Sequence, residues 1–432
     1  MSDQAAARRN WAGNYEYGAS EFAVPVSVEE VQEITARSNR VKALGTRHSF
    51  NGIADTDGTL ISLEKLNRVL ELDRTNGRVT VEGGIRYGDL SRYLDERGYA
   101  LPNLASLPHI SVAGAVATAT HGSGDRNGNL ATSVHAMEIV TASGDKVALS
   151  RDDDNGAIAG AVVGLGALGI TTSLTLNVVP AFRMSQTVYE QLPLARLKDR
   201  FDEVSSAAYS VSLFTDWRQA SFNQAWLKRI ASADDATVSS TEASFFGAAR
   251  AAEPRHPVPG YAADSCSEQL GVPGPWYERL PHFRMAFTPS AGAELQSEYF
   301  VPRAAAYDAL LAIDGLREQI APLLYISEVR TVAADDLWMS PSYARDSVGI
   351  HFTWKPEGEA VRQVLPLIER ALEPYEARPH WAKLFDMQPQ RLRSLYDRLP
   401  DFEALVKRFD PGGKFANALL ARYVTGEARG AL

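Results

Sequence analysis

The chain has 432 residues, 44 of them basic and 53 acidic, for a formal net charge of −9. A composition that is 45 % hydrophobic and 22 % charged is that of an ordinary globular protein, which disfavours disorder and fibrous repeats, and the length fits two domains. An acidic balance without a basic block makes nucleic acid a poor partner, and the single cysteine, Cys266, excludes an internal disulfide framework and any thiolate zinc cage.

The N-terminus lacks an apolar stretch of signal-peptide length, and no hydrophobic region follows Arg8-Arg9 as a twin-arginine signal needs, so the expected location is cytoplasmic. In chain order, residues 24–26 read as a strand. Ser27-Val28-Glu29-Glu30 then has the capping-box spacing that opens a helix toward Arg37. Strands are predicted over 41–44, 58–63 and 78–82, a helix over 87–96, and a hairpin over 138–149. The uncharged stretch 155–182 carries Gly156, Gly160 and Gly164, a spacing that suits membrane helices. Gly166 and Gly169 interrupt it and polar residues follow, so it reads as a buried helix and then a strand, with no membrane span.

Character changes after Pro180. Six of the 22 prolines lie from Pro254 to Pro281, which predicts a long irregular excursion. Strands are expected over 211–215, 225–228, 294–301, 324–332 and 348–354, and helices over 303–319 and 359–375. The Asp-, Ala-, Ser- and Thr-rich stretch 231–244 reads as a loop. The chain thus divides into 1–180, 181–384 and a C-terminal segment 385–432 of unassigned parentage.

Gly164-Leu165-Gly166-Ala167-Leu168-Gly169 matches the dinucleotide fingerprint letter for letter. That fingerprint requires a strand before it and a helix after, and here the order is reversed, so no nicotinamide cofactor is inferred. Two other segments suit a polyphosphate cofactor. One is the loop 44–51, with Gly45, Thr46, Arg47, His48 and Ser49. The other is 106–124, which contains no charged side chain apart from its histidines and lets a ligand approach backbone N–H groups closely. Each alone more often reflects close packing.

Together, and in this order, these segments resemble the vanillyl-alcohol oxidase superfamily of FAD enzymes, and its alditol oxidase branch at closer range. The resemblance also takes in Asn10-Trp11-Ala12-Gly13-Asn14 and residues 209–217, 293–299 and 409–417. It implies an α+β, two-domain FAD-binding fold whose substrate domain is an antiparallel sheet flanked by helices. It also implies a flavin bonded covalently to His48 and contacted by Ala43, Leu44, Gly45, Thr46, Arg47, Ser49, Ser106, Ser111, Gly114, Thr118, Ala119, Thr120 and His121, with backbone near Ile170 at the adenine end. No cysteine lies in the second segment, so a single histidyl bond is expected.

In the second domain, a period of two places Glu328 and Arg330 on one strand face, and His351 and Thr353 opposite an apolar face of Val348, Ile350, Phe352 and Trp354. Lys383 lies among aromatic residues. The resemblance assigns Glu328, Arg330, His351, Thr353 and Lys383, with Ser106, to polyol binding. On that reading Arg330 and Lys383 stabilise a developing alkoxide, and His351 accepts the proton. The implied reaction oxidises C1 of an alditol such as xylitol or sorbitol to the aldose, with oxygen reduced to hydrogen peroxide, in a monomer without metal. The alternatives are a sugar-lactone oxidase or dehydrogenase of the same superfamily, and a flavin-binding protein without turnover.

Overall fold

The computed structural model describes residues 8–153, 156–231, 243–287 and 294–426, so most of the predicted 231–244 loop lies outside the described residues. Ser27 caps the helix Val28–Arg37 as its spacing predicts: its hydroxyl accepts from Glu30 N–H at 3.2 Å, while the Glu30 carboxylate accepts from Val26 N–H at 2.9 Å. The preceding strand is Glu21–Ala23 instead of 24–26, and Val24 and Val26 are exposed. It joins a three-stranded parallel sheet in the order Glu21–Ala23, Thr59–Ser62, Val41–Leu44.

Beside it lies an antiparallel sheet in the order Val69–Asp73, Arg78–Glu82, Ile170–Asn177, Val134–Val140, Lys146–Ser150. The short helix Ala157–Ala161 precedes Gly164 and a strand follows Gly169, which is the reversed order that spoke against a dinucleotide fingerprint.

The second half is built on one large antiparallel sheet. Its centre runs Arg183–Pro193, Ser221–Ala231, Ser210–Thr215, Leu324–Val332, Ser347–Trp354, Leu295–Pro302. The strand Arg183–Pro193 escapes a period-two reading because most of it is buried on both faces. Val348, Ile350, Phe352 and Trp354 are fully buried on the face covered by the helices Ala306–Asp314 and Gly358–Leu372. The helix expected over 303–319 breaks at Gly315 and resumes as Arg317–Ile320. The opposite face of the sheet carries Glu298, Glu328, Arg330 and His351 toward the first half.

Residues beyond Trp381 return to the first half. Leu392, Leu399, Phe402, Phe409, Leu420 and Val424 share a core with Val79, Val81, Leu174 and Leu176. The halves are also joined by main chain, with Gly124 N–H donating to Thr331 O and Ala333 N–H to Asn127 O, both at 3.0 Å. Among the described residues, no helix is long and apolar enough to cross a membrane.

Candidate active site

A cavity of about 1020 Å³ runs between the halves, from the Gly164–Gly169 turn past the His48 loop to Glu328, Arg330 and Lys383. Two glycines set the approach of its loops. A Cβ on Gly45 or on Gly114 would lie 2.8 or 2.9 Å from the Ser111 hydroxyl, which would have to turn away to admit it. Arg47, at φ +64°, turns the first loop sharply.

The N-terminal segment buttresses that loop. The Trp11 ring stacks on the His48 ring at 5.1 Å, Trp11 N–H donates to Arg47 O at 2.8 Å, and Asn10 and Asn14 donate their side-chain amides to Ser49 O and Phe50 O. His48 Nδ1 lies 3.1 Å from Thr46 Oγ1, and burial pushes the imidazole down to about 4, so it is neutral. On its far side the loop is fastened to the segment that carries Lys383. Phe50 N–H donates to Ala382 O at 2.7 Å, and the Asn51 amide donates to Trp381 O at 2.9 Å and to Lys383 O at 2.8 Å. The Asn51 carbonyl accepts from Ile53 N–H, so this side chain has every polar group engaged.

The cavity lining includes Ala43, Leu44, Gly45, Thr46, Arg47, His48, Ser49, Ser106, Ser111, Gly114, Thr118, Thr120 and His121. The side chains of Ala119 and Ile170 are not part of this lining. Ala119 is buried with a left-handed backbone at φ +54°, and Ile170 packs beside Val41 and Val140 while its neighbours Gly169 and Thr171 line the cavity. The lining of the first half thus offers small residues, hydroxyls and main-chain donors along an elongated space, a donor set that fits a dinucleotide with its pyrophosphate.

At the other end, strand register assembles the charges. Glu298 lies opposite His351, and His351 opposite Glu328. Glu298 is the centre of this group. One carboxylate oxygen accepts from Arg330 at 2.6 Å and lies 3.1 Å from His121 Nε2, and the other accepts from Lys383 Nζ at 2.6 Å. Burial alone would raise this carboxyl, but Arg330 and Lys383 hold it well below the usual range. Glu328 is likewise raised by burial and pulled below its usual range by Arg330 and His282.

Lys383 also donates to His351 Nδ1 at 2.8 Å, which leaves the imidazole proton on Nε2, 3.0 Å from Thr353 Oγ1. Burial and the Lys383 charge push His351 down to about 4, so it is neutral. Ser106, Glu328, Arg330, His351, Thr353 and Lys383 all line the cavity. Cys266 lies apart, packed with Val188, Phe214 and Trp226, and burial raises its thiol to about 11.

Sequence reading missed Glu298, His282 and Lys228. Glu298 lay inside a correctly placed strand, on the face that period two shares with Gln296 and Phe300. What was missing was the pairing that sets it against His351.

Residues 19–150 match the family profile described as FAD binding domain, and residues 293–423 match that of D-arabinono-1,4-lactone oxidase. An alditol oxidase of a Streptomyces species is 49 % identical over 420 residues, 96 % of this chain and 99 % of its own. The chain belongs to the alditol oxidase family. Within this wider group, an L-gulono-1,4-lactone dehydrogenase of Mycobacterium tuberculosis is 30 % identical over 94 % of this chain and 96 % of its own. An L-gulonolactone oxidase of Bos taurus is 29 % identical over 96 % and 97 %. A crystal structure of cholesterol oxidase from B. sterolicum shares the fold, with a TM-score of 0.76 at 14 % identity over 96 % of each chain. The alditol oxidase family member described here is therefore an FAD-dependent oxidase with the two-domain α+β architecture of the vanillyl-alcohol oxidase type.

Proposed function

We propose that this protein oxidises the C1 hydroxyl of linear alditols such as xylitol and sorbitol to the aldose, with oxygen as the final acceptor and hydrogen peroxide as the by-product. The observation that carries this reading is the closed set of hydrogen-bonding groups at the cavity end, where Ser106, Glu328, Arg330, Thr353 and Lys383 meet with their charges already paired. A neutral polyol calls for many directional donors and acceptors and no net charge clamp.

Bound FAD supplies the hydride acceptor. Arg330 and Lys383, held cationic in a buried site by Glu298, stabilise the negative charge that develops on the C1 oxygen. Lys383 Nζ passes a proton to His351 Nδ1, to which it is already hydrogen-bonded, and the amine lone pair so freed takes the hydroxyl proton, which restores the ammonium beside the C1 oxygen. The resulting imidazolium lies 3.7 Å from the Glu298 carboxylate, which offsets its charge. Glu328 and Thr353 orient the secondary hydroxyls. Neutral His48 keeps a lone pair with which to bond the cofactor, and the absence of cysteine from 106–124 fits a single covalent bond.

The deciding measurement is the flavin spectrum of the purified holoenzyme under anaerobic conditions. Bleaching by xylitol or sorbitol, followed by reoxidation and peroxide release in air, is the expected result. Bleaching by aldonolactones alone would shift the assignment to lactone oxidation, the reading favoured by the match over 293–423. On acid precipitation the flavin should stay with the wild-type protein and leave the His48→Ala variant; flavin that leaves the wild type would remove the covalent bond.

A further inference from the structure

Glu328 is fixed by a pair that the reaction above does not use: His282, at the cavity wall, and Lys228 behind it. Lys228, 1 % exposed on the strand Ser221–Ala231, donates to the carbonyls of Leu280 and Pro281 and to His282 Nδ1, the last at 3.1 Å. With Nδ1 accepting, His282 carries its proton on Nε2, and that N–H donates to Glu328 Oε1 at 2.8 Å. Phe214 and Trp226 meet the imidazole edge-on at 5.5 and 5.3 Å, so the ring cannot turn without displacing them. Burial pushes His282 down to about 4, which keeps the ring neutral.

The same short stretch reaches the other domain. His282 and Phe283 donate their main-chain N–H groups to Ser106 O at 3.1 and 3.3 Å. One anchor therefore governs two residues that face the substrate from opposite halves. It repeats the order of groups around Lys383, where lysine donates to a histidine Nδ1 and Nε2 faces an oxygen.

We infer that Lys228 and His282 are positioning residues for substrate recognition: His282 occupies Glu328 Oε1, leaves Oε2, 3.6 Å from Arg330 Nε, as the acceptor for one secondary hydroxyl, and together with Lys228 sets the height of Ser106. This rests on the polyol reading of the site. Neither residue belongs to the proton relay of Lys383 and His351, so their loss weakens binding of the polyol chain and leaves the chemical step nearly intact. Truncating the donor also leaves a buried carboxylate oxygen without its partner.

The test compares His282→Leu with His282→Gln in the flavin-loaded enzyme, since the glutamine amide can donate to Glu328 as Nε2 does. His282→Leu and Lys228→Met are expected to raise KM for sorbitol about tenfold with kcat within about threefold of wild type, and His282→Gln to hold KM within about threefold. Equal KM values for the leucine and glutamine variants would overturn the inference, as would losses that follow only flavin content or the unfolding midpoint. Should Lys228→Met fail to accumulate, the histidine pair decides alone. If the wild type turns over lactones and not alditols, the polyol reading fails separately, and the same comparison made with the lactone still tests the anchor.

Discussion

At the scale of single residues, Glu298 has the most leverage in the molecule. It is 1 % exposed and its two oxygens meet Arg330, Lys383 and His121, so three groups from both halves converge on one carboxylate. Glu298→Gln keeps the shape and removes the charge. Arg330 and Lys383 then stand as buried cations without their main counter-ion, a change of about 3 kcal/mol or more. The expected outcome is a fall in kcat/KM of at least about 100-fold, with flavin still bound, read by steady-state kinetics beside the flavin spectrum. A variant that keeps wild-type turnover would show that the cations are held by other means. Alternation within a strand, a local property, put Glu328 with Arg330 and His351 with Thr353 on shared faces, and the family resemblance assigned those faces to the site. Glu298 and His282 were not, since their meaning comes from register between strands far apart in the chain and from a loop folded against the sheet.

At the scale of elements, most strands and helices of the first half follow from capping, alternation and glycine placement. The exceptions have physical causes: Arg183–Pro193 is buried on both faces and shows no period, and Gly315 divides a helix that the apolar pattern alone would continue. Close approach of loops is the harder property to read. A Cβ at Gly84 would sit 1.8 Å from Leu63 O, a main-chain atom that cannot move aside by rotation of a side chain. Gly84→Ala is therefore expected to destabilise the first half by several kcal/mol, on the order of 3 or more, seen as a lowered unfolding midpoint and poor flavin loading. A midpoint unchanged within error would mean that the strand end and the loop shift apart freely. The cofactor loops themselves were legible as small-residue segments, whereas the part played by Asn10, Trp11 and Asn51 in holding them was not, because each acts through main-chain carbonyls distant in sequence.

At the scale of the whole molecule, buried neutral histidines make stability depend on pH in a defined direction. His282 and His351 titrate near about 4 in the folded state and near about 6.5 when unfolded. Between those values the unfolded chain binds protons that the folded chain does not, so stability falls as pH falls from about 6.5 toward about 4. Glu298 and Glu328, depressed in the folded state, act in the same sense: their contribution is present above the ordinary carboxylate range and is lost as pH drops through it. Calorimetry of the holoenzyme should show the unfolding midpoint declining over this interval, and a flat profile from about pH 7 to about pH 5 would mean that these histidines take up protons in the fold as readily as in the unfolded chain. The bonds from Phe50 and Asn51 to Ala382, Trp381 and Lys383 have a mechanical consequence as well. Position errors accumulate along a chain of contacts, and here the chain from the His48 loop to the Lys383 ammonium is only a few links long and runs through main-chain carbonyls of residues 381–383. That interval is set by these few bonds and not by the packing of the two sheets, so the far wall of the cavity is free to diverge and accept other polyols while the spacing from the His48 loop to Lys383 is kept.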